Sequence, residues 1–528
     1  MVYCGKPSRG CQCCKTRRIK CDEARPACGN CKKSGRECPG YPDEFDLIFR
    51  NETSATKKRA QKASNRNRSN TSFSRSLFER AALDPKFPFF DIDCSSPSFW
   101  VSSIPAGLEY SVEAAATSFF FRNFVYLPLN SGSGRGYLEY LIPMYNQASS
   151  DSPLQLATHA VALSALGNYP GNSRLKVDAR KAYGRALNKI NEAIQDPLTA
   201  ASDHSLMTIL MFSLYEAVAS TDKQPTAWSN HVDGAVALAK LRGSDGWKTK
   251  ESVGLFRAIR MCMLTSAIQR AKPVDEYPGP KGWTCDDNFE QNPANRLAII
   301  SLDLPNLRRY AVDVVSQSPS LNKNAEIMHI MKMAQEVDGR LEHWYLTLPE
   351  DWGHRTVRMQ LEEPVDVFNA PQWQGPVHIY DDLFMANIIN DYRVSRIFCQ
   401  QIILNMSGAL SDPAPETLIT VHGMQQHAMY VARTMADDVC SSVPFHLEID
   451  LQPRARDSGQ EIHAAEATGG YFLSWPLFVI GNTDCVPMRQ REWIRGRLYR
   501  IGQDFGLSSA QMMTLAQKSV LTSGPSFP

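Results

Sequence analysis

Six cysteines near the start of the chain obey one spacing rule: Cys11-x2-Cys14-x6-Cys21, then Cys28-x2-Cys31-x6-Cys38. The two halves copy one another. A Cys-x2-Cys pair on an opening helical turn sets two sulfurs on one side, and an extended return brings the third sulfur back to the same point. Tetrahedral zinc takes four ligands, at about 2.3 Å from sulfur, yet each half supplies only three. Two Zn²⁺ ions therefore need eight bonds from six thiolates, which works if one cysteine of each half bridges both ions. The symmetry of the pattern makes the leading cysteines, Cys11 and Cys28, the natural bridges. Two separate zinc sites and a redox-active thiol group are the competing arrangements. Cys4 and Cys13 fall outside the formula and read as spare thiols.

The charge around these cysteines suggests what the module meets. Between Cys14 and Cys21 run Lys15-Thr16-Arg17-Arg18-Ile19-Lys20, and between Cys31 and Cys38 run Lys32-Lys33-Ser34-Gly35-Arg36-Glu37. Two divalent ions and six thiolates sum formally to −2, so some of this positive charge offsets the cluster before the rest can face phosphates. A short helix ending at Arg17 and Arg18 would project them into a DNA major groove, where a guanidinium bonds guanine O6 and N7 together. Lys15, Lys20, Arg25, Lys32 and Lys33 are better suited to phosphates, which set affinity and salt dependence rather than sequence. Taken singly, each of these charges has the alternative reading of a solvated surface residue, with base reading preferred for Arg18.

The elements that must position these groups follow from composition along the 528 residues. Residues 1–70 hold 17 Lys and Arg against 7 Asp and Glu, whereas the remainder holds 40 against 48, a basic head on a mildly acidic body. Residues 1–40 lack the apolar side chains of an independent core, so metal has to hold them folded. Residues 41–109 read as a basic linker, largely disordered, in which Lys57, Lys58, Arg59, Lys62, Arg66 and Arg68 form either a nuclear-import signal or a solvated run. From residue 110 to 528 the pattern turns helical, with Tyr183, Leu187, Ile190 and Ile194 at three- to four-residue spacing. Periodic runs cover 154–167, 174–193, 203–219, 226–242, 251–270, 324–345, 378–406, 417–440, 463–480, 488–504 and 508–520, with Gly243 as a stop signal after Arg242. Strand alternation and hairpin turns are scarce. The expected fold is a small zinc-stabilised N-terminal module plus a large all-α helical domain.

The cysteine formula, with Pro26 in the loop between its halves, resembles the fungal binuclear zinc-cluster transcription factors. Tyr41 to Thr53, Leu214-Tyr215-Glu216, Trp228 to Ala235, Leu241-Arg242-Gly243 and Gly470 to Pro476 are similar, more loosely, to the helical regulatory domain of one branch of that family. The resemblance implies two Zn²⁺, a nuclear protein acting on RNA polymerase II genes, and reading of a CGG triplet by the positions matching Arg17 and Arg18. Family members commonly carry lysine where the arginine stands here. They also often place a coiled coil after the linker, whereas residues 40–76 show no heptads, so any homodimer has to form through the helical body. The regulated genes would be a small set, such as a metabolic or biosynthetic cluster. An alternative reading is a zinc-dependent module that binds protein or RNA as a co-regulator without reading DNA.

Enzyme motifs are missing: no H-E-x-x-H, G-x-S-x-G, P-loop or G-x-G-x-x-G opening a helix occurs. His231, near Trp228 and Asp233, reads as a packed or capping residue, and Phe119–Phe121 and Met207–Met211 as core. Asp84 to Asp93 mixes acids with aromatics, and would either recruit transcriptional machinery or pack as a loop. No signal peptide opens the chain, and the longest late apolar stretch, Tyr471 to Ile480, contains Pro476 and falls far short of the ~20 residues of a membrane span.

Overall fold

A computed structural model describes residues 11–39 apart from 18, 23, 25, 26 and 37, and residues 111–515 apart from 128–136, 220–225, 287–290, 319–321, 449–450 and 452–465. The linker basic run, the acidic-aromatic segment 84–93 and the residues around Tyr41 to Thr53 lie outside the described residues. The chain divides into two units, Met1–Glu109 and Tyr110–Pro528.

In the first unit two short helices, α1 (Gln12–Thr16) and α2 (Gly29–Lys33), pack together, one from each half of the cysteine formula. In the second unit come α3 (Val112–Phe124), α4 (Leu141–Gln147), α5 (Pro153–Gly167), α6 (Leu175–Ala193), α7 (Pro197–Ala200), α8 (Asp203–Ala219) and α9 (Thr226–Arg242). They are followed by α10 (Lys250–Arg270), α11 (Pro293–Ser301), α12 (Asp303–Ser316) and α13 (Lys323–Leu346). After strands β1 (Arg355–Gln360) and β2 (Gly375–Ile379), the helices are α14 (Leu383–Gly408), α15 (Pro415–Leu447), α16 (Glu466–Gly481), α17 (Met488–Asp504) and α18 (Ser508–Leu515).

Helices adjacent in sequence pair as hairpins: α5 with α6, α8 with α9, α13 with α14, α14 with α15 and α16 with α17. Capping explains several starts. Ser111, Ser152 and Asn292 each accept an N–H from the third residue on, and Thr249 with Ser252 makes a reciprocal capping box. Gly243, at φ 72°, takes the left-handed turn that ends α9, with its N–H on Ala239 O and Lys240 O. The core runs through α8 and α14, whose residues are buried on nearly every face, as expected of central helices. Phe120, Met207 and Met211 belong to that core, with Phe119 and Phe121 packed at its margin.

The C-terminal helices return to the N-terminal ones. Asn168 Nδ2 donates to Val218 O at 2.7 Å and to Gly506 O at 2.6 Å, Tyr169 Oη donates to Asp504 O, and Thr468 Oγ1 to Phe124 O. Close backbone approach fixes two further joints. A Cβ on Gly469 would sit 2.0 Å from His446 O, and one on Gly496 would sit 1.9 Å from Phe368 O.

Two differences from the periodicity reading have physical causes. The run expected as helix over 378–406 begins only at Leu383. Residues 375–379, with β-branched Val377 and Ile379, pair antiparallel with β1, Arg355 facing Ile379, and bury Val377, His378 and Ile379 toward α15. Asp382 then caps α14, its Oδ1 accepting from Phe384 N at 2.6 Å. The body is therefore predominantly rather than wholly helical. Helices α3, α4, α7, α11 and α12 were absent from the periodic runs.

Two buried arginines tie the helices. Arg396 of α14 grips Asp338 of α13 bidentately at 2.7 and 2.8 Å. Arg260 of α10 bonds Trp283 O at 2.7 Å, Asp286 Oδ1 at 3.0 Å and Asn295 Oδ1. A buried charge stripped of its partner costs far more than the pair was worth. Asp338→Ala is expected to destabilise the full chain by about 3–5 kcal/mol in chemical denaturation, and Asp338→Leu with Arg396→Met to recover most of that loss.

Candidate metal centre and nucleic-acid interface

Each half of the head builds the same local unit. Cys11 Sγ accepts Cys14 N at 3.5 Å, and Cys28 Sγ, as the N-cap of α2, accepts Cys31 N at 3.3 Å. The leading sulfur of each pair therefore meets an N–H of a first helical turn that has no partner within the helix. Cys11, Cys14, Cys28 and Cys31 are wholly buried; Cys21 and Cys38 are partly so.

The sulfurs converge into two quartets. Cys11, Cys14, Cys21 and Cys28 form one, and Cys11, Cys28, Cys31 and Cys38 the other, the ligand atoms of each lying within 4.8 Å of one another. Both contain Cys11 and Cys28. Among the described residues no other group of cysteine, histidine and carboxylate side chains comes together in this way. The Cys11–Cys28 and Cys11–Cys31 sulfurs stand 3.7 Å apart and the Cys14–Cys28 sulfurs 3.6 Å. A disulfide would need ~2.05 Å. The edge of a tetrahedron with zinc–sulfur bonds of about 2.3 Å is about 3.8 Å, so the spacing fits sulfurs gathered around ions rather than bonded to one another.

Without metal this crowding is unfavourable to ionisation. Burial and the neighbouring Cys11, Cys28 and Cys21 thiols push Cys14 up to about 12, and contact with Cys28, together with burial, raises Cys31 further. Zinc has to displace these protons, so metal affinity falls as the pH falls.

Contacts beyond the sulfurs lock the halves together. Asp22 accepts Gly29 N with both oxygens, at 3.1 and 2.9 Å, and a Cβ on Gly29 would strike that carboxylate. Asn30 Nδ2 donates to Lys20 O at 2.8 Å, and Ser34 Oγ to Asn30 O at 2.8 Å. Arg17 Nη1 donates to Ser34 Oγ at 3.1 Å, crossing from the first half to the second. These contacts were not foreseen; the one signal for them was an acidic residue, Asp22, directly after Cys21 in a basic head.

Arg17, Lys20, Lys32, Lys33 and Arg36 are exposed around the sulfur cluster. Lys15 lies on α1. Arg18 and Arg25, together with Pro26, lie outside the described residues. In the helical unit His231 is a packed residue: its Nε2 meets Tyr183 Oη at 2.7 Å, Tyr183 donates to Glu216 at 2.7 Å, and its ring lies 5.4 Å from that of Phe212. Burial, then the Glu216 carboxylate, hold Tyr183 protonated.

Residues 9–46 match the fungal Zn(2)-Cys(6) binuclear cluster domain, and residues 116–270 match the fungal specific transcription factor domain. The chain carries a zinc-cluster domain and a regulatory domain of the kinds found in fungal Zn(2)-Cys(6) transcription factors. It is similar to the transcription factor dbaG of Emericella nidulans, 25% identical over 425 residues that span 79% of this chain and 93% of that protein. Shorter matches link it to the transcriptional regulatory protein moc3 of Schizosaccharomyces pombe, 62% identical over 34 residues (6% of this chain, 7% of that protein). The aspercryptin biosynthesis cluster-specific transcription regulator atnN of Emericella nidulans is 51% identical over 37 residues (7% of this chain, 6% of that protein). No solved structure gives a significant match. As a zinc-cluster factor the protein binds two zinc ions and recognises DNA by sequence. Among the described residues no helix is long and apolar enough to cross a membrane.

Native mass spectrometry of the full chain should count two zinc ions, both lost to strong chelator. Cys28→Ser takes a sulfur from both quartets and is expected to abolish both ions, whereas Cys21→Ser touches one quartet and is expected to leave one.

Proposed function

We propose that Cys11, Cys14, Cys21, Cys28, Cys31 and Cys38 hold the two zinc ions, with Cys11 and Cys28 bridging them, and that the head so stiffened reads CGG-containing duplex DNA. The observation that carries this reading is the pair of sulfur quartets sharing Cys11 and Cys28, ringed by exposed cations. In the proposed division of labour Arg17 and Arg18 face base edges, while Lys15, Lys20, Arg25, Lys32 and Lys33 take phosphates. The link from Arg17 to Ser34 supports this assignment, because it holds the reading segment against the second half of the module.

The protein acts in the nucleus on RNA polymerase II genes, residues 1–40 binding DNA, 41–109 serving as the linker, and the helical body of 110–528 carrying regulation, contact with transcriptional machinery and any homodimer contact. That a similar protein is named a regulator specific to one biosynthetic cluster supports a comparably narrow gene set for this chain.

Selection from a random duplex pool by the zinc-loaded full chain should enrich CGG; enrichment of no sequence would overturn the base-reading assignment. Arg18→Ala should lose about 1–3 kcal/mol of discrimination between a CGG site and random DNA, measured by competition binding. Equal weakening on both DNAs would place Arg18 on the phosphates instead. Lys32→Ala and Lys33→Ala should each weaken binding to both DNAs alike and reduce the steepness of log K against log salt by about 1.

A further inference from the structure

Helix α15 changes character along its length. Its C-terminal half is buried, whereas between Pro415 and Tyr430 only Val421 and Ala428 are buried outright and one face looks outward. That face is apolar where a surface helix is ordinarily charged: Ile419 and Tyr430 are 77% and 70% exposed, and Leu418 and Met429 about half. From Thr417 to Ala432 no Asp, Glu, Lys or Arg occurs.

The spacing on this face is that of a helix seam. Glu416, Ile419, Gly423, Gln426, Tyr430 and Arg433 recur at alternating steps of three and four. The seam is also its own complement when reversed. Laid antiparallel on a copy of itself, Ile419 faces Tyr430, Gly423 faces Gln426 and Glu416 faces Arg433, each pair occurring twice. Gly423 leaves room for the glutamine opposite, since nothing stands within 4 Å of where its Cβ would be. Arg433, partly exposed, donates from Nε to Asp437 and from Nη1 to Cys485 O, which leaves Nη2 for the carboxylate of the other copy.

We propose that two copies of the chain pair through this face of α15, their helices antiparallel across a two-fold axis. The inference rests on the reading that the helical body carries the homodimer contact, and gives that contact a place. Charge selects the occupant and its direction. The seam bears an acid at one end and a base at the other, so reversal brings unlike charges together at both ends, as a self-complementary two-fold contact requires. A parallel pair sets acid on acid and base on base, which is penalised. The seam is about 26 Å long at 1.5 Å per residue. One helix pair of that length buries less than the ~1,200 Å² of a standard interface, so the dimer is reversible, with a dissociation constant on the order of micromolar.

The test is sedimentation velocity of the zinc-loaded full chain, without DNA, from nanomolar to tens of micromolar concentration. The wild type is expected to pass from monomer to dimer across that range. Ile419→Asp and Tyr430→Lys, both at exposed positions, should keep the helical circular dichroism and the zinc content while each weakens the dimer by roughly tenfold or more. Mixing the two variants should recover a dimer tighter than either forms alone, because the introduced carboxylate of one chain then meets the introduced ammonium of the other while the second Ile419–Tyr430 pair stays intact. In a parallel arrangement position 419 meets 419, and the mixture gains nothing. A wild type that is monomeric throughout, a dimer unchanged in both variants, or a mixture no tighter than its components overturns the proposal. Two zincs and CGG enrichment in a chain that stays monomeric would sink this inference alone and leave the DNA reading standing.

Discussion

Six buried or half-buried sulfurs drawn to within a few ångströms of one another are the constraint on which the head depends. As neutral thiols they have little reason to gather; as anions they repel. Only cations placed among them turn that crowding into attraction, and with structural zinc worth of order 10 kcal/mol in small coreless folds, metal substitutes for the missing apolar interior. Sharing two sulfurs matters as much as binding four. Because Cys11 and Cys28 each belong to both quartets, the two halves become one rigid object rather than two beads on a chain.

Rigidity has a consequence for recognition. A guanidinium distinguishes guanine only when its backbone is held in place, and α1 is a five-residue helix, too short to be stable alone, that packs on α2. The contacts from Asp22 to Gly29, Asn30 to Lys20 and Arg17 to Ser34 extend the constraint from the sulfurs to the charged segments around them. The cluster thereby orders the cations whose charge its own thiolates partly neutralise.

The helical body holds together in another way. Its interior is ordinary apolar packing around α8 and α14, supplemented by buried arginines that bridge helices through carboxylates and carbonyl oxygens. Such pairs add geometric definition more than net stability, because desolvation offsets most of their attraction. The ends of this unit are joined over long sequence distances, as at Asn168 and Gly506, which closes the array on itself.

Much of this was legible in residue order. Ligand types, their pairing and the need for bridging sulfurs follow from counting thiols against the valence of zinc, and helix stops such as Gly243 and helical faces such as that of α6 follow from local chemistry that depends on near neighbours alone. The strand pair at 355–360 and 375–379 was not legible, because a segment of mixed apolar and β-branched residues suits either element until a partner strand is supplied. Nor was the place of Cys13, which spacing leaves outside the cluster and folding packs against its buried cysteines, or of Asp22, which reaches Gly29 in the other half. Sequence by itself determined which sulfurs are available as ligands and which segments coil, since those properties are local; only the tertiary structure decided which distant groups touch, since that depends on how the halves and helices close on one another.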